Sequence, residues 1–165
     1  TAPVLKFFDP KAQICIQTDA SSTGIGSVLL QNNQPVAYAS RSLSDTESRY
    51  AQIEKVLLAV VFACEKFSQY IYGTKTLVHT DHKPLENVLK KPLHKSSPRL
   101  QRMLLRLLKF KVDLQYLPGS KMHIADALSR ATTKRHNLDD QELQEDIEVM
   151  VHSILHDFPG CKNKL

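Results

Sequence analysis

The chain has 165 residues, which suits one domain with a tail, and its 42% hydrophobic content is ordinary for a globular protein. No apolar run reaches the roughly 18 residues that a membrane helix needs, so a membrane span is not expected. The formal charge is +5 but uneven: residues 1–135 hold 20 Lys/Arg against 10 Asp/Glu (+10), and residues 136–165 hold 2 Lys against 7 acids (−5). A basic body suits a polyanion such as nucleic acid, and it equally suits a merely soluble surface. The cysteines, Cys15, Cys64 and Cys161, are sparse and odd in number; Cys15 and Cys64 read as buried small hydrophobes in a reducing intracellular compartment, cytoplasmic or nuclear, without a disulfide framework. Thr1 to Pro10 form neither a signal peptide nor a lipidation motif, and the opening Thr-Ala-Pro is expected to be a cut from a longer polypeptide.

Residues 12–19 alternate as a strand ending on Asp19, and the small residues 20–26 turn into a second strand at 25–31. Asn32-Asn33 signals a hairpin to a third strand, 34–40, completing an antiparallel meander. A long helix follows. Ser44 and Glu47 form a capping box at its start; Tyr50, Ile53, Leu57, Val60, Cys64, Phe67 and Ile71 form its apolar stripe, and Gly73 stops it. Thr76 to Thr80 is a fourth strand, again ending on an acid, Asp81. Residues 83–90 read as a helix with Pro84 in its first turn, closed by Pro92. A further helix runs from Ser96-Ser97-Pro98 to Lys109, then a fifth strand over 110–117, a Pro118-Gly119 turn, and a short helix over 123–130 carrying Asp126. This order predicts an α/β fold with a mixed five-stranded sheet.

Three acids share a placement unlike that of scattered surface acids. Asp19 and Asp81 end two strands, and Asp126 lies near the start of the last helix. If the first and fourth strands are neighbours, Asp19 and Asp81 share one cleft that Asp126 closes from the side. Clustered carboxylates repel unless cations neutralise them, and all-oxygen sites suit Mg²⁺ or Mn²⁺. Two such ions activate a water and stabilise the leaving oxygen of a phosphodiester.

The motifs Gln-Thr-Asp-Ala-Ser (17–21), Pro-Val-Ala-Tyr-Ala-Ser-Arg-Ser-Leu (35–43), Tyr-Ala-Gln-Ile-Glu-Lys (50–55), Thr-Asp-His-Lys-Pro-Leu (80–85) and Ile-Ala-Asp-Ala-Leu-Ser-Arg (124–130) stand in an order that resembles the RNase H domain of gypsy-type retrotransposon reverse transcriptases. The resemblance covers about residues 3–131. It implies an RNase H-like fold, with the first three strands of the sheet antiparallel, that cuts the RNA strand of RNA–DNA hybrids with two Mg²⁺ held by an Asp-Glu-Asp-Asp set. Asp19, Asp81 and Asp126 match the three Asp positions as catalytic metal ligands. The Glu opens the family's pattern Glu-Leu-Leu-Ala-Ile-Val-Phe-Ala, whose counterpart here is Val56-Leu57-Leu58-Ala59-Val60-Val61-Phe62-Ala63, so Val56 stands at the Glu position and the second metal loses a ligand. Glu54 is no substitute: two residues turn about 200° around a helix. Glu is also the better helix former, so returning Glu to position 56 is expected to leave folding unharmed.

For nucleic-acid contacts, the resemblance and the charges point to Ser21, His82, Lys83, Arg99, Arg102 and Tyr116. Arg99, Arg102, Arg106 and Lys109 recur along one helix face and suit phosphates, or equally a solvated face. His82 and Lys83 read equally as a helix-start solvent pair. Tyr116 precedes Asp126 by 10 residues, where related enzymes carry a mobile His; an ordinary strand aromatic is the alternative. His152 and His156, with Cys161, lack a fourth zinc ligand.

The implied organisation is residues 1–11 as the end of a preceding reverse-transcriptase connection, 12–131 as the RNase H-like domain, and 132–165 as a polar, acidic linker toward an integrase, within which 147–155 has the pattern of a short amphipathic helix. The implied partners are an RNA–DNA hybrid and the reverse-transcriptase and integrase regions of one polyprotein, with no membrane and no small-molecule cofactor. Two functions compete: a metal-dependent ribonuclease H impaired by Val56, and a catalytically inactive nucleic-acid-binding or protein-interaction module descended from one. A purely structural connection domain would tolerate loss of all four acids, and three remain.

Overall fold

The computed structural model describes residues 5–122 and 124–126. The last helix beyond Asp126, the linker over 132–165 and the His152/His156/Cys161 spacing lie outside the described residues.

Strands β1 (Ile14–Ala20), β2 (Gly24–Gln31) and β3 (Gln34–Ser42) form the expected meander. Asn32 and Asn33 both take positive φ, 52° and 58°, which matches the right-handed twist of a two-residue hairpin. Strands β4 (Thr76–Thr80) and β5 (Val112–Tyr116) complete a five-stranded sheet of order β3-β2-β1-β4-β5. The β1–β4 and β4–β5 pairs are parallel.

The single long helix expected from Ser44 to Ile71 is three pieces: α1 (Asp45–Ser48), α2 (Gln52–Lys66) and α3 (Ser68–Ile71). The capping box is present, but it closes one turn only. Ala51 then adopts an extended conformation (φ −58°, ψ 152°), and α2 starts afresh with the Ala51 N–H donating to Glu54 Oε1 at 3.1 Å. The apolar periodicity runs through both breaks because Tyr50 and Ile53, on either side of the first, and Cys64, Phe67 and Ile71, across the second, all pack on the same core, so the pattern alone does not reveal them; α1 itself buries no side chain. Helices α4 (Lys83–Lys90) and α5 (Pro98–Leu107) follow, joined by a short 3₁₀ turn, Leu93–Lys95.

The main core lies between α2 and one sheet face. Ile14, Ile16, Ile25, Leu29, Val78 and Leu114 meet Val56, Leu57, Val60 and Cys64 there, and Leu100, Met103 and Leu107 of α5 join them. Two ion pairs tie α5 to α2, Arg99 Nη1–Glu54 Oε2 at 3.1 Å and Arg106 Nη2–Glu65 Oε2 at 2.7 Å. On the other sheet face Cys15 departs from the buried hydrophobe expected. It is half-buried, its Sγ lies 3.4 Å from His79 Nδ1, and burial pushes its thiol up to about 11, so it stays protonated.

Arg41 on β3 clamps Glu47 of α1 with two bonds, 2.7 and 2.9 Å. Those bonds, aided by the Ser44 N–H, hold the Glu47 carboxyl down to about 2. A carboxyl lowered in the folded state stabilises above its unfolded value, and that stabilisation is lost as pH falls through the folded one. The thermal midpoint should therefore fall more steeply from about pH 4.5 to 2 in this protein than in Glu47→Gln. Parallel acid limbs in calorimetry would remove the pair from the stability account.

Candidate active site

The parallel β1–β4 register pairs Thr18 with Thr80, so the residues that follow, Asp19 and Asp81, leave two adjacent strands at the same end. Neighbouring strands lie about 4.8 Å apart, which sets the spacing of their backbones. Both threonines are fully buried, and they order the strand ends: Thr18 Oγ1 donates to the His79 carbonyl at 3.5 Å, and Thr80 Oγ1 accepts from the His82 N–H at 3.2 Å. Asp19 is half-buried and paired with Gly26, whereas Asp81 is exposed.

Strand β5 ends beside them, because Thr80 pairs with Tyr116 and the Leu117 N–H donates to the Thr80 carbonyl at 2.8 Å. The Pro118-Gly119 turn then folds against Asp81. A Cβ built on Gly119 would lie 3.1 Å from Asp81 Oδ2, closer than ordinary contact. The chain continues through the buried Met122 into a helical turn at 124–126, where the half-buried Asp126 donates its N–H to the Met122 carbonyl at 3.1 Å.

Asp19 and Asp81 therefore come together at one end of the sheet, and the turn that touches Asp81 leads to Asp126. Among the described residues, however, no three His, Cys, Asp or Glu side chains stand close enough together to hold one metal ion. Like charges repel at close range, which favours a spread set.

Val56 is 2% exposed and belongs to the main core. Its burial corrects the expectation that Glu here would be harmless to folding: the helix preference of Glu over Val is a few tenths of a kcal/mol, and an uncompensated buried polar group costs about 2–7 kcal/mol. Glu54 accepts the Ala51 N–H and bonds Arg99, so its carboxylate is occupied on the α5 side of the helix.

The remaining candidates divide by place. Ser21 shapes the β1–β2 turn, its Oγ accepting the Gly24 N–H at 3.0 Å. His82 occupies the N-cap position of α4 without a side-chain capping bond; Lys83, beside it, places Nζ 6.0 Å from the centre of the Tyr116 ring, which is 40% exposed. These four border the strand ends that carry the acids. Arg99 instead bonds Glu54 and lies 3.9 Å over the Tyr50 ring, so its donors serve the α2–α5 contact. Arg102 is exposed and donates to the Pro98 carbonyl.

The profile of a family described as an RNase H-like domain found in reverse transcriptase matches residues 9–110. The chain belongs to this family. It is 40% identical over 135 residues to the retrovirus-related Pol polyprotein from transposon 412 of Drosophila melanogaster, an alignment covering 79% of this chain and 11% of that polyprotein. With the polyprotein from transposon opus of the same fly it is 38% identical over 152 residues, 86% of this chain and 15% of the relative. The chain thus spans only a small part of the relatives it matches. Among solved structures it resembles RNase H1 from Halobacterium salinarum (TM-score 0.61, 18% identity, 74% of this chain and 98% of that one). It also resembles a foamy viral protease–reverse transcriptase in complex with RNA/DNA hybrid (TM-score 0.58, 22% identity, 68% and 16%). At these identities the likeness establishes the fold.

The Gly119 contact went unnoticed in the sequence, as did the paired threonines. Their signal was the dipeptide Thr-Asp, present at 18–19 and again at 80–81. In Gly119→Ala the Asp81 carboxylate must yield by a few tenths of an ångström. Stability should change by about 0.5 kcal/mol or less, as for other exposed sites, while Mn²⁺ affinity drops several-fold in a paramagnetic NMR titration. Unchanged Mn²⁺ affinity would separate this turn from cation binding.

Proposed function

We propose that this chain is the RNase H domain of a retrotransposon polyprotein, that it recognises RNA–DNA hybrids, and that its hydrolysis of the RNA strand is impaired by Val56. The observation that carries this reading is a buried, well-packed valine at the position where the family places its metal-binding glutamate. Residues 1–11 would join it to the reverse-transcriptase region, and 132–165 would lead on toward an integrase.

No three acids among the described residues stand close enough to hold one ion as a set. Asp19 and Asp81, which leave the sheet at one end, would hold a hard divalent cation such as Mg²⁺ or Mn²⁺ with water completing its oxygen shell, and Asp126 would join them through the turn after Gly119. In this chemistry the paired ions supply the activated water and neutralise the leaving oxygen. Val56 offers no oxygen. What the chain's own residues retain is binding: Lys83 brings positive charge and His82 a ring N–H to the strand ends, Tyr116 offers an exposed ring, and Arg102 an exposed guanidinium whose Nε donates to the Pro98 carbonyl. The hybrid in the solved foamy viral complex supports the same ligand class for this fold. A binding or interaction module without catalysis is the second reading, favoured by the fit of Val56 in the core.

Steady-state cleavage of a labelled hybrid in Mg²⁺ and in Mn²⁺ tests the proposal, with this chain and Val56→Glu side by side. The unmodified chain should cleave at least about 10–100-fold more slowly, the loss already seen when only an outer partner of a metal ligand is removed. Activity of the two within about tenfold would refute the role of position 56. A second readout is stability: Val56→Glu should unfold at lower temperature in EDTA and recover with Mg²⁺, since a cation bound only by the folded state stabilises it. Hybrid affinity should be similar in both proteins and fall as salt rises, because phosphate contacts release counterions. Absence of binding at low salt would end both readings.

A further inference from the structure

Helix α5 has two unlike faces. Leu100, Met103 and Leu107 are buried, and Arg99 and Arg106 are bonded to α2 along one flank. The outward face carries Leu105 at 51% exposure and Leu108, one residue past the helix, at 76%, with exposed Arg102 and Lys109 beside them. One exposed leucine is ordinary. Two leucines one turn apart, rimmed by cations, form an apolar strip that phosphate binding does not require.

We propose that this strip is the docking surface for the acidic C-terminal segment of the same chain, residues 139–155. Leu143, Ile147, Met150, Val151 and Ile154 recur there at i, i+4, i+7, i+8 and i+11, one face of a helix. Asp146 and Glu148 fall on either side of that face, and Asp139, Asp140, Glu142 and Glu145 precede or flank it. An apolar stripe with an acidic rim thus complements an apolar strip with a basic rim, and the split between a +10 body and a −5 tail becomes an attraction inside one molecule. The tether is long enough. From Arg130 to Leu143 there are 13 residues, able to span roughly 43 Å at 3.3 Å each, against a radius of gyration of about 14 Å for such a domain. Tethering also raises the effective concentration toward millimolar, so a small contact suffices.

The test uses the full chain with photoreactive p-benzoylphenylalanine in place of Leu108, whose exposure makes the replacement innocuous to folding. After irradiation at low protein concentration, mass spectrometry should find intramolecular crosslinks to residues 139–155. Their yield should fall several-fold in 0.5 M salt, where screening acts within about 4–5 Å. Asp146→Lys with Glu148→Lys should abolish them, and adding Arg102→Glu with Lys109→Glu should restore them. Crosslinks to a second copy, to other segments of the chain, or to nothing would overturn the proposal. None of these outcomes depends on whether the chain cleaves a hybrid.

Discussion

The parallel pairing of β1 with β4 is the constraint on which the site depends. Antiparallel neighbours would send Asp19 and Asp81 to opposite ends of the sheet. Parallel strands in matched register bring both out at one end, and the register is held where side chains are most buried, at Ile14, Ile16, Thr18, Val78 and Thr80. A parallel pair cannot be joined by a tight turn. The connection between these strands contains β2, β3 and α2, so the crossover that makes the pairing possible also lays α2 across the sheet and brings position 56 into the core.

On the proposed reading, packing and chemistry would make opposite demands at position 56. A metal ligand there would have to present oxygen in a place that is otherwise apolar, and such a group is stable only with a compensating charge or hydrogen bond. Valine removes the conflict in favour of packing. The nearby Glu54 does not reverse this, because it is committed to the start of α2 and to Arg99. That ion pair and a second, Arg106 with Glu65, narrow the role of the basic helix: Arg99 and Arg106 hold α5 against α2, and Arg102 and Lys109 remain on the outer face.

Much of this was legible in the sequence. The five strands, the Asn32-Asn33 hairpin and the helices from Lys83 and Pro98 follow from alternation, turn residues and prolines that act locally. The helix breaks around Ala51 and Phe67 were not legible, because hydrophobic periodicity reports which side faces the core and not whether hydrogen bonding is continuous. The adjacency of Asp19 and Asp81 was readable only as a condition on strand order, which depends on contacts distant in the chain. Gly119 escaped for the same reason: Pro-Gly announces a turn but not what the turn leans on. The pairings of Arg99 and Arg106 were hidden because a cation on a helix reads alike whether it faces solvent or a carboxylate on a neighbouring helix.

The fit of Val56 bears on how such a domain changes over generations. If position 56 is the place of a metal-binding carboxylate, as proposed, valine there would be a loss for cleavage and a gain for folding, and once selection for cleavage relaxed nothing in the fold would resist the substitution. The reverse step would place a charge among the buried Leu57, Ala59 and Val60. On the proposed reading of position 56, inactivation at this helix would work as a ratchet, and the three aspartates, being nearer the surface, could outlast the glutamate without any function preserving them.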